Sequence, residues 1–246
     1  MNLTEEYFLE EFQKSYQIPF NKNCELCDVN KELKYPLLPW IVGSKYFETK
    51  ERIMIIGKPH RGIPGKLLKS MIINPNSKEN NCLEWMKNEC TWAYWSYTKE
   101  ILKRIYPNQD VWDFVSFTNI IKCTNTADDG THIDKTTWKM ANQCIKENGI
   151  IFKEIEKLKP RTIVFYIFSL FNDFLNEFPF SNEIIDEKSK HNKITCGQKQ
   201  LPWWERTIKT NWDSKVRDLV TGHPQRMQKK EFVEKIVAWI QNKNVV

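Results

Sequence analysis

Nothing in the chain approaches the roughly 20 consecutive apolar residues that a bilayer-spanning helix needs, so no membrane span is predicted. The opening residues, Met1 to Glu11, are acidic rather than basic and apolar, which argues against a secretory leader. No internal repeat is visible. The cysteines number seven, an odd count, which speaks against a disulfide framework and for reduced thiols or metal ligation. These absences together predict a cytoplasmic protein that stays off the membrane.

What is present suits a globular α/β protein. A chain of 246 residues, 41% hydrophobic and 28% charged, can bury one sizeable core. The formal charge of +6, from 37 Lys and Arg against 31 Asp and Glu, is a mild bias compatible with a phosphate-bearing partner. Ten tryptophans are the more unusual feature.

Tyr7, Phe8, Phe12 and Tyr16 recur at near-helical spacing, predicting an amphipathic helix within residues 1–20 that ends before Pro19. Cys24-Glu25-Leu26-Cys27 follows in a polar, turn-like stretch, and residues 35–47 read as loop or a short edge strand. The runs Arg52–Gly57, Phe117–Ile121, Thr162–Phe168 and Val216–Val220 predict strands buried on both faces, as in a parallel sheet. Helices are expected with Leu67, Leu68, Met71 and Ile72 inward, over about 138–158, over 171–178, and at the C-terminal end. The last of these should bury Phe232, Val233, Ile236, Val237 and Ile240. The alternation of strand and helix predicts one domain over 1–246, with a tryptophan-rich insertion at about 75–112 and a polar insertion at about 181–200 that forms a hairpin or a flexible segment.

Four features carry chemistry. Cys24 and Cys27 form a C-x-x-C that fits zinc, a redox pair or neither; Cys123 and Cys144 could complete a four-thiolate site for zinc or an iron–sulfur cluster, or be buried apolar thiols. The loop from Gly57 through Lys58, Pro59, His60 and Arg61 to Gly62 stands at a strand's carboxyl end, where glycine lets backbone approach a ligand or simply turns. His223-Pro224-Gln225-Arg226 ends another strand, with His223 catalytic or merely structural and Arg226 suited to a phosphate. Asn119 carries an amide that can donate and accept together and so read a base edge. All these loops fall at carboxyl ends of predicted parallel strands and so converge on one crevice.

In order and type, the strand-then-loop Ile53 to Pro59, the run Asn119-Ile120-Ile121-Lys122-Cys123, the stretch Leu158 to Val164, and His223-Pro224-Gln225-Arg226 resemble the uracil-DNA glycosylase superfamily. The preceding C-x-x-C resembles its members that carry an iron–sulfur cluster. The resemblance covers about residues 20–240. It implies a three-layer α/β sandwich around a mainly parallel four-stranded sheet, and a monomer that excises uracil or a related damaged base from single- or double-stranded DNA. Asn119 would hydrogen-bond the extruded base and His223 would stabilise the charge on it as it departs. Gly57, Lys58, Pro59 and Arg226 would line the substrate site, and Cys24, Cys27, Cys123 and Cys144 would hold a [4Fe-4S] cluster, with structural zinc as the alternative. The first loop departs from the family in being short and in having no carboxylate from Arg52 to Lys78. His60, or Asp128 or Asp129, would then serve the attacking water. A glycosylase fold that binds nucleic acid without cleaving it is the other reading.

Overall fold

The computed structural model describes residues 41–58, 89–121, 141–147, 149–168, 171–177, 183–225 and 227–242. The expected helices within 1–20 and around Leu67 to Ile72, and the polar loop from Thr124 to Asp134, lie outside these residues. In chain order the strands are β1 (Ile41–Val42), β2 (Ile53–Gly57), β3 (Val115–Asn119), β4 (Thr162–Phe168), β5 (Ile184–Glu187), β6 (Lys193–Cys196), β7 (Lys199–Ile208) and β8 (Val216–Gly222). The α-helices are α1 (Ala93–Ile105), α2 (Ile150–Leu158) and α3 (Lys229–Ile240).

The fold is α/β with a mixed sheet in the order β1-β3-β2-β4-β8-β7-β5, and β6 pairs with β7 off that path. Strands β3, β2, β4 and β8 run parallel. The four apolar runs of the sequence all lie in this parallel part, and every residue of β2 and β3 is buried. The expected four-stranded sheet is nevertheless too small. An antiparallel β1 adds to β3, and an antiparallel wing of β7, β5 and β6 adds to β8.

Strand alternation sends Ile55, Phe117, Tyr166 and Leu219 into one cluster with residues of α1 and α3. Met54, Ile56, Phe165 and Val220 enter the other with residues of α2. Helices therefore cover both faces. No helix among the described residues is long and apolar enough to cross a membrane.

Several local expectations are corrected. The helix expected over 138–158 is not continuous: residues 142–147 are π-helical, and α2 starts only after Gly149, whose φ of +57° is left-handed. Glycine accepts that conformation without a Cβ clash. The apolar spacing of that stretch predicts an inward stripe of Trp138, Ala141, Ile145, Ile151, Ile155 and Leu158; Trp138 lies outside the described residues, and the other five are buried. Residues 172–177 form a 3-10 turn in place of the expected helix. Strand β3 begins two residues earlier than predicted, leaving Ile120 and Ile121 buried beyond its end. In α3, Trp239 is buried where Val237 was expected.

The tryptophan-rich stretch contains α1, with Trp95, Thr98, Ile101 and Leu102 buried at helical spacing. Aromatics on both sides of this helix (Tyr94, Trp95, Tyr97) blur the stripe that would have marked it. Trp95 stacks on Phe117 of β3, ring centroids 4.3 Å apart, and Trp112 lies 5.7 Å from Trp95. Such pairs add about 0.5–1.5 kcal/mol each beyond area burial.

Of the two forms expected for the polar stretch 181–200, the structure has the hairpin, preceded by β5. The β6–β7 hairpin turns at Gly197, φ +64°. The wing is stapled to β8 by Arg206, which donates to both carboxylate oxygens of Asp218 at 2.9 and 2.7 Å and to the Leu175 carbonyl at 3.3 Å. Both side chains are buried, and the guanidinium also lies 4.5 Å from the Trp204 ring. Burial pushes the Asp218 carboxyl up from its ordinary range, and Arg206 pulls it back down.

Candidate functional site

The described candidate site residues lie where the parallel strands end. Gly57 closes β2 and is paired with Asn119, which closes β3; the Ile120 amide donates to the Gly57 carbonyl at 2.9 Å. Asn119 is buried on the α1/α3 side, two residues beyond Phe117. Carboxyl ends of parallel strands are where open α/β sheets bind ligands, because successive connections part there.

Tyr94, in the first turn of α1, packs over the ends of β2 and β3 and was not anticipated from the sequence. Its hydroxyl donates to the Thr118 carbonyl at 3.4 Å. A Cβ added to Gly57 would stand 1.9 Å from that hydroxyl and 2.8 Å from the Asn119 amide oxygen. Glycine at 57 is thus required by the close approach of Tyr94, in addition to any ligand. Burial pushes the Tyr94 hydroxyl well above its ordinary value, with the nearby Tyr166 adding to the effect, so the group stays a neutral donor. The spacing of Tyr94 from Trp95 and Thr98 could have placed it on α1; only the packing puts it over Gly57.

His223 reaches the same place from β8. Its ring lies 5.5 Å from the Tyr94 ring, tilted by 34°. The backbone N–H of Gln225 donates to His223 Nδ1 at 3.1 Å. An accepting Nδ1 leaves the neutral ring's proton on Nε2, which makes that nitrogen a donor. Buried Pro224 shapes the turn, whose Met227 amide donates back to the Pro224 carbonyl at 3.0 Å. Tyr97 of α1 pins it further by donating to the Met227 carbonyl at 2.9 Å.

The structure thus brings Gly57, Asn119 and His223 together around Tyr94. Lys58 follows Gly57 and is half-buried. Pro59, His60, Arg61, Asp128, Asp129 and Arg226 lie outside the described residues. So do Cys24, Cys27 and Cys123. Cys144 is buried in the π-helical segment and belongs to the cluster on the opposite face of the sheet, with Ile120 and Ile121. The described thiols Cys90, Cys144 and Cys196 are all buried and none is in a disulfide. Among the described residues no three of His, Cys, Asp and Glu gather as a metal site; a four-thiolate set would need the three cysteines beyond them.

No family model matches the sequence, and no curated protein does.

Proposed function

We propose that the crevice takes a base swung out of a DNA strand and that the protein cleaves its N-glycosidic bond, with uracil or a related damaged base as substrate. The observation that supports this best is the orientation of His223. A backbone N–H fills Nδ1, so Nε2–H is the hydrogen that the ring offers. As the bond from sugar C1′ to the base nitrogen breaks, its electron pair stays on the base, and the sugar becomes oxocarbenium-like. A fixed neutral donor on the base oxygen is matched to that developing charge, and water then completes hydrolysis at C1′. Asn119, donating and accepting through one amide, suits the edge of a pyrimidine. The amino end of α1, carried into the crevice by Tyr94, favours an anionic leaving group as well.

The four parallel strands with helices on both faces are consistent with a uracil-DNA-glycosylase-like sandwich, here enlarged by the antiparallel wing. In the same reading Cys24, Cys27, Cys123 and Cys144 hold a [4Fe-4S] cluster, with zinc as the alternative, in a structural role. Metal analysis of anaerobically purified protein separates the two, since the cluster requires about four iron atoms per chain and zinc about one.

A second reading is binding without cleavage. The packing of the Tyr94 hydroxyl over Gly57 favours it, because a base must share or displace that space. The experiment is a cleavage assay on a single-stranded oligomer containing one uracil, with abasic sites revealed by alkali. Cleavage that disappears in Asn119→Ala, His223→Ala supports excision. Salt-sensitive binding with no abasic product leaves the binding reading, and absence of both sinks the nucleic-acid reading altogether.

A further inference from the structure

We propose that the Tyr94 hydroxyl is a second hydrogen-bond donor to the departing base, acting beside His223; this rests on the reading of Asn119 and His223 as a base-excising site. The ring of Tyr94 is accounted for by packing. Its centroid lies 4.8 Å from that of Phe117, 5.9 Å from Trp95 and 5.8 Å from Tyr166, and a phenylalanine would make the same contacts.

Packing does not account for the hydroxyl. It donates to the Thr118 carbonyl at 3.4 Å, well beyond the about 2.7–2.8 Å that such bonds prefer. It also stands 1.9 Å from the place that a Cβ on residue 57 would take, so the end of β2 accommodates it only by being glycine. Glycine inside a strand brings extra chain freedom that folding must remove. The phenol oxygen thus constrains the strand end and gains in return one long bond.

Its surroundings give it a use. The same Cβ position is 2.8 Å from the Asn119 amide oxygen, and the Tyr94 ring lies 5.5 Å from that of His223. The hydroxyl is therefore beside the amide that reads the base and one ring away from the imidazole that polarises it. A base oxygen gaining negative charge is a stronger acceptor than a neutral peptide carbonyl, so a long bond to Thr118 exchanges readily for a short one to the base. As the bond from C1′ to the base nitrogen breaks, its electron pair stays on the base. Tyr94 shares its hydrogen with the base oxygen and keeps its proton, because burial holds the phenol neutral.

The test is single-turnover excision by the full chain and its Tyr94→Phe variant, from a single-stranded oligomer carrying one uracil and from the same oligomer carrying fluorouracil. Tyr94→Phe keeps the ring and removes one donor, so uracil is expected to leave about 10²-fold more slowly at an unchanged melting temperature. Fluorine makes the departing base more acidic and less dependent on donated hydrogen bonds, so the loss on fluorouracil is smaller than on uracil. An equal loss on both bases overturns the proposal, since a hydroxyl with a structural role alone slows both alike. Excision faster than the parent's overturns it too, by making the hydroxyl an obstruction. A parent that excises uracil no faster than Tyr94→Phe sinks the donor alone. A parent that yields no abasic product sinks the glycosylase reading and the donor with it.

Discussion

The parallel heart of the sheet and its antiparallel wing are built on different physical terms. In β2, β3, β4 and β8 both faces are covered by helices; β2 and β4 are runs of almost wholly apolar buried residues, and β3 and β8 are buried along nearly all their length with a few polar residues among the apolar ones. The wing mixes classes along one strand: in β7, buried Trp203 and Trp204 are followed by half-buried Glu205 and buried Arg206. The heart is held by apolar burial, while the junction with the wing is held by an ion pair shut away from water. The difference teaches that the wing is the more specifically determined region: sheltered charge tolerates only its own partner, whereas apolar packing accepts substitutes of similar volume.

The largest effect is expected at that junction. Arg206→Leu leaves Asp218 buried without its guanidinium and lowers stability by about 3–5 kcal/mol in urea denaturation. Arg206→Leu combined with Asp218→Asn recovers most of that loss. A double variant no more stable than the single one would falsify the claim that an orphaned charge is the cause.

Next comes the crevice. If the proposed excision takes place, His223→Ala is expected to slow it by about 10²–10³-fold while leaving the melting temperature close to that of the parent, since one preorganised donor is lost. An equal fall in activity and folded fraction would assign His223 a structural role. Gly57→Ala tests the crowding at the end of β2. Overpacking against Tyr94 costs about 1–3 kcal/mol, and Tyr94→Ala in the same chain relieves it. If the two changes simply add in denaturant titrations, the two residues are not coupled. Gly149→Ala has the smallest expected effect, about 1–2 kcal/mol, from placing a Cβ in a left-handed conformation. A variant as stable as the parent would mean that residues 142–158 relax into the single helix their apolar spacing suggests.

The sequence was most legible where burial was complete. Thr162–Phe168 is a strand with the bounds that its apolar run indicated, the run Arg52–Gly57 is one from Ile53 on, and the described part of the helical stripe, from Ala141 to Leu158, is buried. β7 escaped notice because it is neither a clean alternation nor an apolar run. Its Arg206 reads as a surface residue until Asp218 is found opposite. α1 was hidden for a related reason: Tyr94 and Tyr97 flank the buried stripe of Trp95, Thr98, Ile101 and Leu102 and blur its edge. His223 was legible because it follows a buried run at its carboxyl end; Asn119 was legible as an amide, and its place at the end of β3 came from the structure. Tyr94 was not, because its role depends on a contact across the sheet.

Residue order alone therefore dictated that these four segments be buried parallel strands, since an apolar run flanked by polar turns cannot stay in water. It also dictated that their polar ends be loops. Which side chains meet there was decided only in three dimensions. Gly57, Tyr94, Asn119 and His223 are far apart in the chain, and contacts at such separation follow from strand order and helix packing, which no local pattern records. The proton on His223 Nε2 was decided at that level too, because the backbone N–H that fixes it is aimed by the turn after β8.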